Sequence, residues 1–227
     1  MLRRRSEPAS DRELTRVGKR WYQLNESFTL NEHYGPDSGS CVLVVRGERK
    51  IVWSAPHAVH HSRHGLVKLN DANTGGLALA LAEHLGGSAV ALRRGGLEFG
   101  DPNHDESHPL KDAATPLIGP GVVFVDLHGM ADREHDLIVG IGAAPTPRSF
   151  RLAERFANAA IRNGLAATVA DDDTGFNANG PTTMTMWALG RGADALQIEI
   201  ARNLRSTRAD PHRRIALLRS FVHVFGE

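Results

Sequence analysis

From residue 40 onward, short apolar and β-branched runs alternate with longer stretches whose apolar residues recur at helical spacing. That alternation predicts an α/β sheet covered by helices. Strands are expected over 41–45, 50–54, 89–92, 122–127, 137–141, 167–170 and 195–200. Several are apolar on both alternations, as central strands buried on two faces are. Helices are expected over 74–85, 148–163, 182–189 and 210–225. In the second, Phe150, Leu152, Phe156, Ala159 and Ala160 fall near helical spacing, and Gly164 supplies a C-terminal stop. Segments 54–73, 94–120 and 171–181 read as long or polar connections. In an open α/β sheet, the loops leaving the carboxyl ends of strands form the crevice where ligands bind. Residues 1–20, polar and Arg-rich, read as a flexible basic arm or a surface helix, with one domain over 21–227.

Composition narrows the function classes. The chain has 227 residues, with 27 Lys+Arg against 26 Asp+Glu, a net charge of +1. A dedicated nucleic-acid binder would need a basic excess, so none is expected as a partner. A single cysteine, Cys41, excludes an internal disulfide and every multi-cysteine metal motif. No apolar run reaches the roughly 18 residues of a bilayer span, and no membrane partner is expected. The basic N-terminus lacks a following apolar core, so it does not read as a secretory signal, and a cytoplasmic location is expected. One residue type stands out: histidine, at 12 residues. Imidazole is the commonest metal ligand and titrates near neutrality.

Three segments place chemistry at strand ends. The run Ser54-Ala-Pro-His57-Ala-Val-His60-His61-Ser-Arg-His64 puts four histidines directly after an apolar strand. In Val125-Asp126-Leu-His128-Gly129 a buried strand runs into a histidine, and the glycine permits close backbone approach. Asp126 would share the face of His128 if the strand continued that far, and could orient its ring. In Gln197-Ile-Glu199-Ile, Glu199 interrupts an apolar strand, where a carboxylate must be paired, bound to metal or protonated. Pairing with Arg202 at the sheet rim is one such outcome. Two imidazoles and a carboxylate holding Zn²⁺, with a free carboxylate as base, is the constellation of a mononuclear zinc hydrolase. No phosphate-binding glycine loop and no nucleophile elbow compete with it.

The ordered set Ser-Ala-Pro-His57, Asp71-Ala-Asn-Thr74, Gly100-Asp101-Pro-Asn103, Asp126-Leu-His128-Gly129, Asp136-Leu-Ile-Val-Gly140, Asn179-Gly180 and Gln197-Ile-Glu199-Ile-Ala-Arg202-Asn-Leu204 resembles the N-formylglutamate amidohydrolase family, relatives of the zinc carboxypeptidases. The resemblance spans about two-thirds of the chain. It implies a carboxypeptidase-like α/β fold with a mixed, mostly parallel twisted sheet between helices, and hydrolysis of an amide bond in an acylated amino acid. It implies one Zn²⁺ per chain, held by His57 and His128, with Glu199 as catalytic base. The third ligand is Asp71 by the amidohydrolase pattern and His60 by the His-x-x-Glu spacing of carboxypeptidases; Asp71 is favoured, although it also stands where a helix N-cap would. Asn103, Arg133 and Arg202 are the substrate-binding positions, the arginines for a carboxylate. His104 stands where the family carries an arginine, which puts formylglutamate itself in question more than the hydrolytic chemistry. A peptidase-like hydrolase of γ-glutamyl links and a non-catalytic metal- or small-molecule-binding domain are the alternatives. His61, His64, His104 and His108 are expected at the crevice mouth.

Overall fold

The computed structural model describes residues 9–171 and 174–226. The strands are β1 (Val42–Val45), β2 (Ile51–Ala55), β3 (His61–Arg63), β4 (Leu66–Lys68), β5 (Ser88–Leu92), β6 (Val123–Met130), β7 (Leu137–Gly140), β8 (Ala167–Val169) and β9 (Asp194–Ala201). Seven of them form one sheet in the order β1-β5-β2-β6-β9-β7-β8, and β3 and β4 form a separate hairpin. The pairings β5–β2, β2–β6, β6–β9 and β7–β8 are parallel, whereas β1–β5 and β7–β9 are antiparallel. This is the mixed, mostly parallel sheet flanked by helices that the sequence implies.

Helices cover the sheet where their capping chemistry starts and stops them. Thr146 caps the helix Pro147–Arg162 by accepting a hydrogen bond from the Ser149 N–H, and Pro147 occupies its first turn, where no amide hydrogen is required. Gly164, at φ +85°, turns the chain away after it. Asp210 caps Pro211–Phe225 in the same manner. Glycine 86, in the left-handed conformation, ends Thr74–Leu85.

Residues 1–8 of the expected N-terminal arm lie outside the described residues. Asp11–Asn25 is one continuous helix, so the division expected at residue 20 falls inside it. Leu14, Val17 and Trp21 of this helix are buried in the main core. It rests on Thr74–Leu85 at Gly76: a Cβ there would lie 2.4 Å from the Trp21 carbonyl oxygen. Trp21 Nε1 donates to the Asn73 carbonyl at 2.6 Å, and Asn25 Oδ1 accepts from the Gly76 N–H. The N-terminal helix thereby fixes the first turn of the helix that follows Asp71.

The two faces of the sheet differ. Val125, Leu127, Leu196, Ile198 and Ile200 project into the large core with Trp53, Phe156, Phe221 and Phe225. On the opposite face, Phe124 and Ala195 pack against Met184, Trp187 and Leu110 at one end of the strands. Towards the carboxyl ends that same face turns polar, because strand residues of one parity share a face. Asp126 pairs with Gln197 and His128 with Glu199 in the β6–β9 register. β6 therefore extends three residues beyond the expected Leu127, and its eight-residue pairing with β9 holds Asp126 and His128 on regular backbone. No helix among the described residues is long and apolar enough to cross a membrane.

Candidate metal centre

Strand order decides what meets at the polar end. The parallel neighbours β5, β2, β6 and β9 deliver, in that spatial order, the loop bearing Asp101, the turn bearing His57, His128 and Glu199. Asp71 joins them from the segment before Thr74–Leu85, its N–H donating to the His57 carbonyl at 2.7 Å. The Asp71 side chain does not cap that helix, whose N-cap position is Asn73 and carries no side-chain cap bond.

Three ligand atoms form a nearly equilateral triangle. His57 Nδ1 and His128 Nδ1 are 3.1 Å apart, and each lies 3.3 Å from Asp71 Oδ2. The outer nitrogens point at carboxylates: His57 Nε2 is 2.9 Å from Asp101 Oδ1, and His128 Nε2 is 2.9 Å from Asp126 Oδ2. An ionised carboxylate only accepts, so both Nε2 atoms donate and both Nδ1 atoms carry lone pairs when the rings are neutral. Three acceptors thus converge inward, which only a cation or added protons can satisfy. Ligand bonds of about 2.0–2.1 Å around tetrahedral zinc give donor separations of about 3.3–3.4 Å, close to the edges of this triangle. The residues fit a zinc ion.

Electrostatics agree with that demand. Burial opposes charge on His57, but its hydrogen bonds to Asp101 and Asp71 outweigh burial and raise its pKa. Burial is likewise overcome at His128, which the Asp126 carboxylate holds well above the ordinary histidine value. Against its own burial, Asp71 is held well below the usual carboxylate range by hydrogen bonds to His128 and His57. Each shift reports a site that attracts positive charge.

Glu199 is buried beside this triangle, and its pKa is raised, chiefly by desolvation. Its Oε1 accepts from Gln197 Nε2 at 3.1 Å. Arg202, which could have paired with it, is exposed on the short turn Arg202–Arg205 and has no ion pair with it among the described residues. His60 lies outside the triangle. Its Nδ1 accepts from the Asn70 N–H, and its ring packs on His33 and Tyr34. Asn103 places its Nδ2 3.3 Å from His128 Nε2, while its Oδ1 accepts from the Met184 N–H. The Arg133 guanidinium stacks over the Phe176 ring, 4.6 Å from its centroid.

Two expectations at the crevice mouth are corrected. His61 is buried and stacks on His57 with ring centroids 4.6 Å apart; its Nδ1 lies 3.0 Å from the Val59 carbonyl and its Nε2 3.4 Å from Asp101 Oδ2, and these contacts draw it in. His108 is buried as well, because its Nδ1 caps the helix Pro109–Ala114 by accepting from the Leu110 N–H. His64 and His104 do sit exposed, edge to face with one another.

Sequence reasoning gave no role to Arg205 and left Asp101 without one. The Arg205 guanidinium is buried and donates to the carbonyls of Ile200, Ala72 and Met130. It ties the ends of β9 and β6 to the segment carrying Asp71. Gly129 makes room for it, since a Cβ there would lie 2.3 Å from the Arg205 guanidinium carbon. Glycine directly after His128 was the available signal.

The mixed sheet defines the architectural class, and solved structures share that fold. The chain is similar to a bacteriophage poly-γ-glutamate hydrolase, at 18% identity over 84% of this chain and 89% of that one, with a TM-score of 0.55. It is similar to the zinc-free form of YNDL, at 17% identity over 83% and 91%, with a TM-score of 0.54. N-formylglutamate amidohydrolase from Ralstonia eutropha matches at 16% identity over 81% and 98%, with a TM-score of 0.51. These likenesses establish the fold. No family model and no curated protein matches the chain.

Proposed function

We propose that this chain is a zinc-dependent amidohydrolase that cleaves the amide bond of a small N-acyl amino acid bearing a carboxylate. His57, Asp71 and His128 are the metal ligands and Glu199 is the general base. One observation carries the reading: the inward-facing triangle of His57 Nδ1, His128 Nδ1 and Asp71 Oδ2, with both outer nitrogens held by carboxylates, beside a buried glutamate on the neighbouring strand. Zinc bound there would supply Lewis acidity, lowering the pKa of a water and polarising a carbonyl.

The chain's own groups do the rest. Asp101 and Asp126 fix the tautomer and angle of the two imidazoles. Glu199 takes a proton from the attacking water and returns it to the departing amine, a task suited to a carboxylate whose affinity for protons is raised by burial. Asn103, beside His128, and the forked donors of Arg133 and Arg202 are the substrate-binding groups. The names of two fold relatives, an N-formylglutamate amidohydrolase and a poly-γ-glutamate hydrolase, support an amide next to a glutamyl group as the bond to test.

The test is a screen of N-acyl amino acids and short γ-glutamyl amides against the zinc-loaded chain and Glu199→Gln. Turnover by the wild type is expected to vanish with a chelator and return with zinc. Glu199→Gln should keep the metal and lose about 10²–10⁴-fold in rate. A variant with undiminished turnover overturns the base. A zinc-loaded chain that hydrolyses no member of the screen favours the non-catalytic binding domain.

A further inference from the structure

A second cavity opens at the other end of the sheet. Ile51 and Val123, the first residues of β2 and β6, line it together with Leu152, Val224 and Phe225 of the helices Pro147–Arg162 and Pro211–Phe225. His128 lies five residues beyond Val123 along β6, about 17 Å at about 3.3 Å per residue. The cavity and the metal triangle therefore occupy opposite edges of the sheet. The cavity encloses about 440 Å³, within the range of small-molecule sites. Five cations surround its apolar floor: Arg49, Lys50, Arg148, Arg151 and Arg155. Among the described residues its lining includes no carboxylate.

Folding alone does not account for this cluster. Arg148, Arg151, Leu152 and Arg155 follow the i, i+3, i+4, i+7 spacing of one helix face, where like charges three or four residues apart destabilise the helix. Arg148 also stands in the first turn, the end at which the helix dipole favours anions. Asp194 accepts from one terminal nitrogen of Arg148 at 3.1 Å, which leaves that guanidinium further donors. Lys50 and Arg151 are exposed and have no ion pair among the described residues. Lys50 comes from a distant part of the chain and is held at the cavity by its backbone, its carbonyl accepting from the Val123 N–H at 2.9 Å. Long-range pairing thus adds positive charge to a helix face that already carries three.

We propose that this cavity is a binding site for an organic polyphosphate: two or more phosphates joined to a flat apolar body, as in a nucleoside triphosphate. Each phosphate offers three acceptor oxygens and can be shared among several guanidiniums, whereas a carboxylate is filled by one fork. Lys50 and Arg151 hold the phosphate chain from two different elements. Arg148 extends the row towards a helix end whose dipole favours the same negative charge. The apolar body rests on Ile51, Val123 and Phe225. The concave shape, and a net charge of only +1 over the whole chain, favour a small ligand over a nucleic-acid backbone. This site is independent of the hydrolytic reading of the metal centre.

Calorimetric titration of the full chain with ATP, AMP, inorganic triphosphate and citrate tests the site. ATP should bind at least about tenfold more tightly than AMP or citrate, and more tightly than inorganic triphosphate, which lacks the apolar body. Added salt should weaken ATP binding. Lys50→Gln and Arg151→Gln should each weaken ATP by about tenfold or more while the ligand-free unfolding midpoint stays unchanged, and Arg151→Lys should restore part of the loss. His128→Ala, which disables the metal centre at the opposite edge, should bind ATP as the wild type does. The proposal is overturned by a wild type that binds no ATP at millimolar concentration, or by Lys50→Gln and Arg151→Gln variants that both keep the wild-type affinity. Loss of binding in His128→Ala also overturns it, since the anion then sits at the metal centre. Equal affinity for inorganic triphosphate or citrate overturns the organic polyphosphate, and tighter binding of a short RNA oligonucleotide replaces it with a nucleic-acid backbone.

Discussion

His57 and His128 approach each other through Nδ1, at 3.1 Å, and each turns its Nε2 outward to an aspartate. Two neutral imidazoles arranged this way present lone pair to lone pair, an arrangement that a cation between them resolves.

Metal analysis is the first check. Protein purified without a histidine tag is expected to carry about one zinc per chain. Asp71→Ala and His128→Ala should weaken zinc binding severely in a chelator competition titration. His60→Ala should leave it within about threefold, because Nδ1 of His60 is engaged by the Asn70 N–H outside the triangle.

The outer aspartates act through the histidines. Asp101→Asn and Asp126→Asn should each lower zinc affinity by about 10–100-fold while the far-ultraviolet circular dichroism stays native. Equal affinity in either variant would mean that the corresponding ring is held in place by packing alone.

Arg205 is a structural tie with a reach into the site. Arg205→Met leaves the carbonyls of Ile200, Ala72 and Met130 without their donor and should cost about 2–4 kcal/mol in urea unfolding. Gly129→Ala should destabilise for the same reason, by pushing the guanidinium off those carbonyls. Unchanged unfolding midpoints in both would refute the tie.

His108 predicts a pH dependence. Burial is the main cause of its lowered pKa, about 4 against an ordinary 6.5, so the folded protein favours the neutral ring. The unfolded chain binds the proton first. The stability contributed by neutral His108 is therefore complete above about pH 6.5 and is lost as pH falls towards 4. His108→Asn keeps an acceptor for the Leu110 N–H but cannot titrate. Unfolding free energies from pH 7 to 4 should fall less steeply for the variant than for the wild type. Parallel curves would exclude His108 as a contributor.

Much of this molecule is written in local patterning. All seven strands expected after residue 40 occur, within a few residues of their expected ends, because each is a short apolar run closed by polar or glycine-bearing segments. Helices 74–85, 148–163 and 210–225 are found within a residue or so of their expected limits for the same reason. The helix Asp11–Asn25 was less legible. Its polar face dominates the composition, and only its close approach to Gly76 of a distant helix explains why Trp21 is buried. The hairpin β3–β4 was not legible either, since its histidines and arginine carry no strand-like alternation.

By itself, the sequence determined which residue types stand at strand ends: His57 after β2, His128 and Asp126 on β6, and Gln197 and Glu199 on one parity of β9. Tertiary structure alone decided which of them meet. Strand order is set by long-range pairing, and the order β5-β2-β6-β9 brings Asp101, His57, His128 and Glu199 side by side across four strands. Tertiary structure likewise puts Asp71, and not His60, beside His57 and His128, since spacing along a loop does not fix where its side chains point. Burial of His61, His108 and Arg205 follows from what packs over them, and no local pattern encodes that.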